Sequence, residues 1–514
     1  MDWTAGYASD IEYTAGFYAE QGPGYINLVC ALNGYEPPSL GTPFTYFELG
    51  FGRGLTASVL AASNPNGSFY AADFNPAHVA GANALAASAQ LKNLTLLENS
   101  FEELAKGKVG DLPQFDYITL HGIYTWVTAE NRQHIIDFVN RYLKPGGAVY
   151  VSYNAMPGWA SGQPLQRLLV EYGDAFPNKS NAEMDGAAAF VERLVEASSG
   201  YVENNPSIKP RLDTLKTGSR NYLVHEYMHK HWQPLYHADV ARDFAQAKME
   251  FAGSALLPMA YPALYLSPAR KAVMETFPDS VMQETLKDYI LNTGFRKDVF
   301  VRGLRKMSPV RHAEVLAQVG VALTVPRSEV KFEMKTAIGT FNGMSEVYAA
   351  VCDALAVRPH FVGELLSLPS LKGQSVVNLI QVAVLLTSSG QAMTYLTGVG
   401  KAEPAVTQKM NAALVKQVRY SDEYQVLCSP LTGNGVLADL FERVAFGLLS
   451  QTKGTVTLDD FTRQVWQHVS ALGRRMMRDG VALDDEAENL TELRPRVEAI
   501  LRDKLPVWKQ LKML

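Results

Sequence analysis

The first third of the chain alternates short apolar runs with longer helix-compatible stretches. Residues 44–49 (FTYFEL) are an apolar run ahead of a glycine cluster, as a buried strand should be. Residues 55–62 (LTASVLAA) read as a helix, stopped by Asn64-Pro65-Asn66-Gly67. A second strand, Ser68 to Ala72, ends at Asp73. Asn75 then offers an N-cap and Pro76 a first helical position for an Ala-rich helix to about Gln90. Leu94 to Leu97 and Phe115 to Leu120 predict strands three and four. A helix from about Glu130 to Leu143 stops at Lys144-Pro145-Gly146-Gly147, and Ala148 to Tyr153 predicts a fifth strand. Strands separated by helical crossovers predict an α/β fold: a parallel sheet with helices on both faces.

Beyond Trp159 the pattern turns mostly helical. Residues 161–216 hold amphipathic stretches with polar breaks such as Asn204-Asn205-Pro206, and a mixed segment follows to about 330. Residues 331–514 alternate helices with short β-prone runs around a turn cluster at Ser429–Gly435, without internal repeats. At ~150 residues per domain, 514 residues predict roughly three domains.

Composition narrows the class. Apolar residues make up 47% and charged ones 19%, which excludes a largely disordered or collagen-like chain. The net charge of −5 argues against a chain built to coat nucleic acid. Cys30, Cys352 and Cys428 lie far apart with no CxxC pair, so neither a disulfide framework nor a cysteine zinc cluster is expected, and a reducing cytoplasm fits. The N-terminus shows no secretory pattern. The most apolar stretch, Val376 to Leu386, is too short to span a bilayer.

The most informative stretch is Glu48-Leu49-Gly50-Phe51-Gly52-Arg53-Gly54, between the first strand and the first helix. Glycines there permit a tight turn and let a ligand approach main-chain N–H groups. Asp73, at the end of the second strand, can accept both hydroxyls of an adenosine ribose, a spacing that suits NAD equally well. The plain alternative is a structural turn with Asp73 capping a helix. Two details separate the cofactors. Gly50-Phe51-Gly52-Arg53-Gly54-Leu55 lacks the last glycine of G-x-G-x-x-G, and the acid Glu48 beside the turn suits a cationic ligand better than a pyrophosphate. S-adenosyl-L-methionine carries an ammonium and a sulfonium and no phosphate.

ELGFGRG resembles the first motif of class I S-adenosylmethionine-dependent methyltransferases. The segments Ala72–Pro76, Glu98–Phe101, Phe115–Ile118 and Leu143–Gly147 are similar in order. His121–Val127 (HGIYTWV) and Val151–Trp159 (VSYNAMPGW) resemble bacterial methyltransferases that carry a methyltransferase regulatory domain, a group that includes rickettsial protein-lysine methyltransferases. Tyr222–Tyr227, Trp232–Tyr236 and Phe295–Asp298 resemble the regulatory segment.

The resemblance implies a Rossmann-like methyltransferase sheet in 1–160 and a helical insertion in 161–216, whose position points to homodimerisation. It further implies the end of the sheet, near 249–257, with an α+β regulatory or middle domain in 217–330. A substrate-recognising C-terminal domain in 331–514 resembles a winged-helix module in general organisation only. Glu48, Gly50, Gly52 and Gly54 would shape the methionine end of the cofactor site, and Asp73 would hold the ribose. Phe74 would flank the adenine, Asn99, Ser100 and Phe101 would contact it, and His121 and Gly122 would border the sulfonium. The usual acid is replaced at Asn99. Tyr13 and Tyr18 lie in a segment that closes over the cofactor in related enzymes.

Methyl transfer to lysine needs a neutral amine, and at a reference pKa of ~10.4 only about one in a thousand to ten thousand is neutral near pH 7. A desolvated aromatic pocket raises that fraction. Tyr124, Trp126, Tyr153 and Trp159 are the candidate catalytic aromatics, which also suit a methylated ammonium, with core packing as the alternative for each. Asn154 would orient the amine through its carbonyl. The expected function is methyl transfer to a protein acceptor, leaving S-adenosyl-L-homocysteine. Alternatives are a small-molecule, glycan or lipid acceptor, and a non-catalytic cofactor-binding regulator.

His225-Glu226-Tyr227-Met228-His229 competes as an H-E-x-x-H metal motif, with Glu226 as base beside a zinc-bound water. Position 235 is Leu where metzincins place a third ligand, Trp232 and Pro234 break the helix, and nothing marks Glu250 as the thermolysin-type ligand. No metal is expected, and His229, His231 and His237 read as surface or hydrogen-bonded side chains.

Overall fold

The computed structural model describes residues 15–396, 404–452, 454 and 456–514. Tyr13 lies outside the described residues. The chain enters through α1 (Pro23–Leu32) and β1 (Phe44–Leu49), then alternates: α2 (Leu55–Ser63), β2 (Gly67–Asp73), α3 (Pro76–Ser88), β3 (Leu94–Glu98), α4 (Phe101–Lys106), β4 (Phe115–Leu120), α5 (Ala129–Tyr142) and β5 (Leu143–Asn154). The local chemistry is as the pattern predicts. Pro76 opens α3, and Asn75 caps it by accepting from the Ala77 N–H at 2.9 Å.

A helical run follows: α6 (Gln163–Ala175), α7 (Ser180–Glu196), α8 (Gly200–Glu203), α9 (Lys209–Thr217), α10 (Arg220–Tyr227) and α11 (His237–Ala245). The sheet is then completed by β6 (Met249–Ser254) and, after α12 (Pro268–Met274) and α13 (Ser280–Leu291), by β7 (Phe295–Arg302). The order is β3-β2-β1-β4-β5-β7-β6. Strands β1 to β5 pair in parallel, and β7 runs antiparallel to both β5 and β6. The expected position near 249–257 supplies β6. The second closing strand comes from 295–302, a segment the sequence marks only by its resemblance to the regulatory region.

Alternation along β1 divides the core. Phe44 and Tyr46 pack with Phe69, Tyr117 and Tyr150 on one face, together with α1 and residues Leu60 and Ala61 of α2. Phe47 and Leu49 pack on the other face with Phe115, Phe138 of α5 and Phe244 of α11. Strands covered on both faces read as continuous apolar runs, which is why 44–49, 115–120 and 148–153 are legible. After β1 the chain builds outward through β2 and β3, then returns to the far side of β1 as β4. That reversal opens a crevice at the carboxyl ends of β1 and β4, the usual ligand position in open α/β sheets.

The C-terminal part holds a three-stranded antiparallel sheet (Val319–Leu323 between His360–Phe361 and Ala392–Leu396), a hairpin (Val426–Ser429 with Asn434–Leu437) and helices through Gln510. No described helix is long and apolar enough to cross a membrane.

Candidate active site

The crevice is a cavity of about 1000 Å³. Its floor is the turn after β1, where Gly50, Gly52 and Gly54 adopt φ of +69°, +57° and +72°. A Cβ at Gly50 would lie 2.5 Å from Ile123 Cδ1, and one at Gly54 would lie 2.6 Å from the Ala82 Cβ. The first glycine therefore keeps space between the ends of β1 and β4, and the third lets α2 lie against α3. All the residues expected at the cofactor line this cavity except Gly54, which stands behind it against α3.

Asp73 ends β2 and is nearly buried. Its Oδ2 accepts the Gly52 N–H at 2.8 Å. Its Oδ1 accepts the Asn75 N–H at 2.9 Å and lies 3.2 Å from His78 Nδ1. The carboxylate thus ties the glycine turn to the start of α3, and Oδ2 keeps acceptor capacity toward the cavity. His78, which sequence reasoning did not single out, also lines the cavity.

Glu48 is 4% exposed. Its Oε1 accepts from Gln21 Nε2 at 3.4 Å, while its Oε2 is buried without a hydrogen-bond partner among the described residues. Burial pushes its carboxyl up to about 8; the Gln21 hydrogen bond opposes this and the Asp73 charge adds to it. His121, at the end of β4, is pushed down to about 3, first by burial and then by the Lys297 charge, so its ring is neutral. Its Nδ1 shares a 2.8 Å hydrogen bond with Tyr150 OH, and the Tyr18 ring stacks on it at 3.7 Å. Ser152 Oγ accepts the Gly122 N–H at 2.8 Å and fixes the backbone beyond β4.

After β3, Ser100 is the N-cap of α4 in a capping box with Glu103. Its hydroxyl is engaged in that cap, and Asn99 Nδ2 reaches the same Glu103 carboxylate at 3.4 Å. Phe74 and Phe101 supply apolar wall on this side.

The candidate acceptor residues separate. Trp126 lines the cavity. Tyr124 is buried beneath the cavity wall, its hydroxyl donating to Asp243 of α11 at 2.8 Å. Tyr153 is buried in an ionic cluster and donates to Asp298 at 2.7 Å. Trp159 packs edge to face on Trp232 at 4.6 Å, with the Arg211 guanidinium 3.3 Å above its ring. Asn154 is buried at the end of β5, where its main-chain carbonyl accepts from the Leu235 N–H at 2.9 Å, and its side-chain Nδ2 is buried without a hydrogen-bond partner among the described residues. None of these four lines the cavity, and the Tyr124, Tyr153 and Trp159 side chains instead join the sheet to the elements after β5.

Tyr222, His225, Glu226, His229 and His231 do line it; the sequence reads Tyr222–Tyr227 as part of the regulatory segment, His225, Glu226 and His229 as a competing metal motif, and His229 and His231 as surface or hydrogen-bonded side chains, none of them as part of the cofactor or acceptor site. The helix that would set His225 and His229 on one face ends at Tyr227. Among the described residues no group of three or more His, Cys, Asp or Glu side chains converges as a metal site.

The comparisons agree with this geometry. A family model described as a methyltransferase domain matches residues 47–149, and one described as a predicted methyltransferase regulatory domain matches 219–302. The chain is 37% identical to uncharacterized protein sll1526 of Synechocystis, over 99% of each chain. It is 24% identical to uncharacterized protein RP028 of Rickettsia prowazekii, over 43% of this chain and 86% of that one. The solved structure of PKMT2 from Rickettsia typhi in complex with AdoHcy superposes with a TM-score of 0.69 at 17% identity, covering 96% of this chain and 99% of that chain. The cavity fits S-adenosylmethionine: the unpartnered Glu48 oxygen suits an ammonium and Asp73 suits a ribose. The chain belongs to the class I S-adenosylmethionine-dependent methyltransferases that carry a methyltransferase regulatory domain.

Proposed function

We propose that the protein methylates a protein acceptor at a lysine side-chain amine. The observation that carries this reading is the single cavity shared by the glycine turn with its unpartnered Glu48 oxygen and an aromatic-imidazole wall around Trp126. Whole-length likeness to rickettsial PKMT2 supports a protein acceptor, as does a C-terminal part larger than a metabolite requires.

When bound, the cofactor supplies an electrophilic methyl on a sulfonium whose sulfur keeps the electron pair of the broken bond. The chain's residues do the holding. Glu48 takes the ammonium of the methionine end, Asp73 the ribose hydroxyls, and Phe74 and Phe101 flank the adenine. The Asn99–Ser100 backbone meets the adenine edge, since both side chains are turned to Glu103. His121, Gly122 and Tyr18 border the methyl, with His121 neutral so that no second cation opposes the sulfonium. Alignment then accounts for most of the rate, since the leaving group is already activated.

With this reading go the four-part division at 160, 216 and 330, homodimerisation through α6 to α9, and a cytoplasmic setting, which the three buried free cysteines suit. Light scattering checks the second point, and a monomer would sink it.

The test of the function begins with calorimetric titration of S-adenosylhomocysteine. Wild type is expected to bind, and Asp73→Ala to lose ~1.5–3 kcal/mol, the scale of hydrogen bonds to a charged group. Transfer of labelled methyl from the cofactor to lysate, followed by protease digestion, then locates the acceptor. Label that resists digestion to peptides overturns the protein-acceptor reading, and absence of cofactor binding overturns the whole.

A further inference from the structure

The cavity wall has two origins. One set of side chains comes from the carboxyl ends of the sheet strands. The other comes from α10 and the segment behind it: Tyr222, His225, Glu226, His229 and His231, all within residues 219–302 that match the regulatory-domain model. Trp126, in the loop after β4, joins the two, its ring edge to face with His229 at 5.8 Å.

Glu226 is the acid of this second wall. It is half-buried, lines the cavity, and makes no hydrogen bond or ion pair with a described residue. The charges facing it are few. Arg211 of α9 is the opposing cation, and its guanidinium lies over the Trp159 ring at 3.3 Å instead of pairing with Glu226. On the neighbouring α7, Asp185 is taken up by Arg220; on α6, Asp174 is taken up by Lys230. Tyr222 and Tyr227 are protonated, their hydroxyls raised by burial. His229 is pushed down to about 4 by burial, with the His231 and His225 charges adding to it, so its imidazole is neutral. One acid therefore stands beside the neutral His229 ring and the protonated Tyr222 and Tyr227 hydroxyls in a partly desolvated wall, an arrangement that favours a cation with an apolar stem.

We infer, on the amine-acceptor reading above, that this wall is the acceptor site: Glu226 receives the substrate ammonium and takes one proton from its nitrogen, with Trp126 and His229 beside the alkyl stem. The segment matched as a regulatory domain is then part of the active site. The balance is simple. R–NH3+ gives a proton to a Glu226 carboxylate oxygen and becomes R–NH2, whose lone pair is the nucleophile; the proton leaves to solvent when Glu226 reionises. No oxidant or metal is needed. Burial pushes the Glu226 carboxyl up to about 7, which suits a group that must accept and release a proton near neutrality.

The test uses the full chain saturated with S-adenosylhomocysteine and ligand-observed NMR, so that binding is read without turnover. The probes are Nα-acetyl-lysine methylamide and the neutral Nα-acetyl-norleucine methylamide. Wild type is expected to prefer the lysine compound by about tenfold or more, the scale of a charge-assisted hydrogen bond. That preference should grow from pH 6 to pH 8 as Glu226 ionises while the amine stays charged. Glu226→Gln should remove both the preference and its pH dependence, with S-adenosylhomocysteine affinity within about twofold of wild type; Glu226→Asp should keep the pH dependence. Equal binding of the two probes by wild type, or an undiminished preference in Glu226→Gln, overturns the proposal while the cofactor reading stands. Failure of wild type to bind S-adenosylhomocysteine is a separate result, and removes the reading on which the proposal rests.

Discussion

At the scale of single residues, Glu48 makes a measurable claim. Burial pushes its carboxyl up to about 8, with the Gln21 hydrogen bond opposing and the Asp73 charge adding to the shift. An ammonium brought to its free oxygen stabilises the carboxylate, so binding at pH 7 must expel a proton. Calorimetry in buffers of different ionisation enthalpy should therefore register close to one proton released per S-adenosylhomocysteine at pH 7. The release should fall away above about pH 9, and be absent in Glu48→Gln. The sign follows from a raised pKa in the free protein: protonated below about 8, ionised in the complex. Zero release by wild type would separate Glu48 from the ligand ammonium. Gly50→Ala tests the turn by a different route. Its Cβ would meet Ile123 at 2.5 Å in a left-handed backbone that alanine adopts only with strain of roughly 1–3 kcal/mol. The expected outcome is weaker cofactor affinity together with a lower Tm.

At the scale of elements, the join between β5, β7, α11 and α13 takes up the Tyr153 side chain, and α11 takes up the Tyr124 hydroxyl. Asp298 on β7 accepts from Tyr153 at 2.7 Å and from Arg296 Nε at 2.8 Å, and lies 3.1 Å from His237 Nδ1; Arg296 reaches on to Asp288 at 2.7 Å. All five side chains are buried. The Arg296 guanidinium and His237 hold the Asp298 carboxyl below the usual carboxylate range against the opposing pull of burial. Tyr153→Phe should therefore lower stability by about 1–3 kcal/mol in denaturant unfolding while S-adenosylhomocysteine affinity is unchanged. Loss of affinity without loss of stability would return Tyr153 to the cavity. The parallel strands and the glycine turn were legible because each is encoded locally, by an apolar run, a cap or a φ requirement. β7 was not, because FRKDVFVR places Arg296 and Asp298 inward on a strand, and a run of charge reads as surface until its partners on α11 and α13 are known. Trp126 and Tyr124 sit two positions apart in one motif yet part company in space, which periodicity alone does not resolve.

At the scale of the whole molecule, the C-terminal half braces the helix that carries the glycine turn. Met410, Leu414, Val426 and Cys428 share one cluster with Leu55, Val59 and Ala62 of α2. Asn64 Nδ2, at the end of α2, donates to Gly433 O at 2.8 Å; Asn434 Nδ2 donates to Ala19 O at 3.0 Å, two residues from the Gln21 that holds Glu48. Arg53, inside the turn, pairs with Glu423. The ion pair is half-exposed and contributes little, about 0–1 kcal/mol. The apolar contacts matter more: an α2 stripped of its cover exposes Leu55, Val59 and Ala62, each now buried, at ~25 cal/mol per Å². A chain ending at residue 403 should therefore lose the cooperative unfolding transition in circular dichroism and lose S-adenosylhomocysteine binding, although every cofactor-facing residue remains. Glu423→Ala in the full chain should leave both within error. If the truncated chain bound the cofactor as tightly as the whole, the methyltransferase sheet would be self-sufficient, and the C-terminal half would be an appendage with no part in holding the turn.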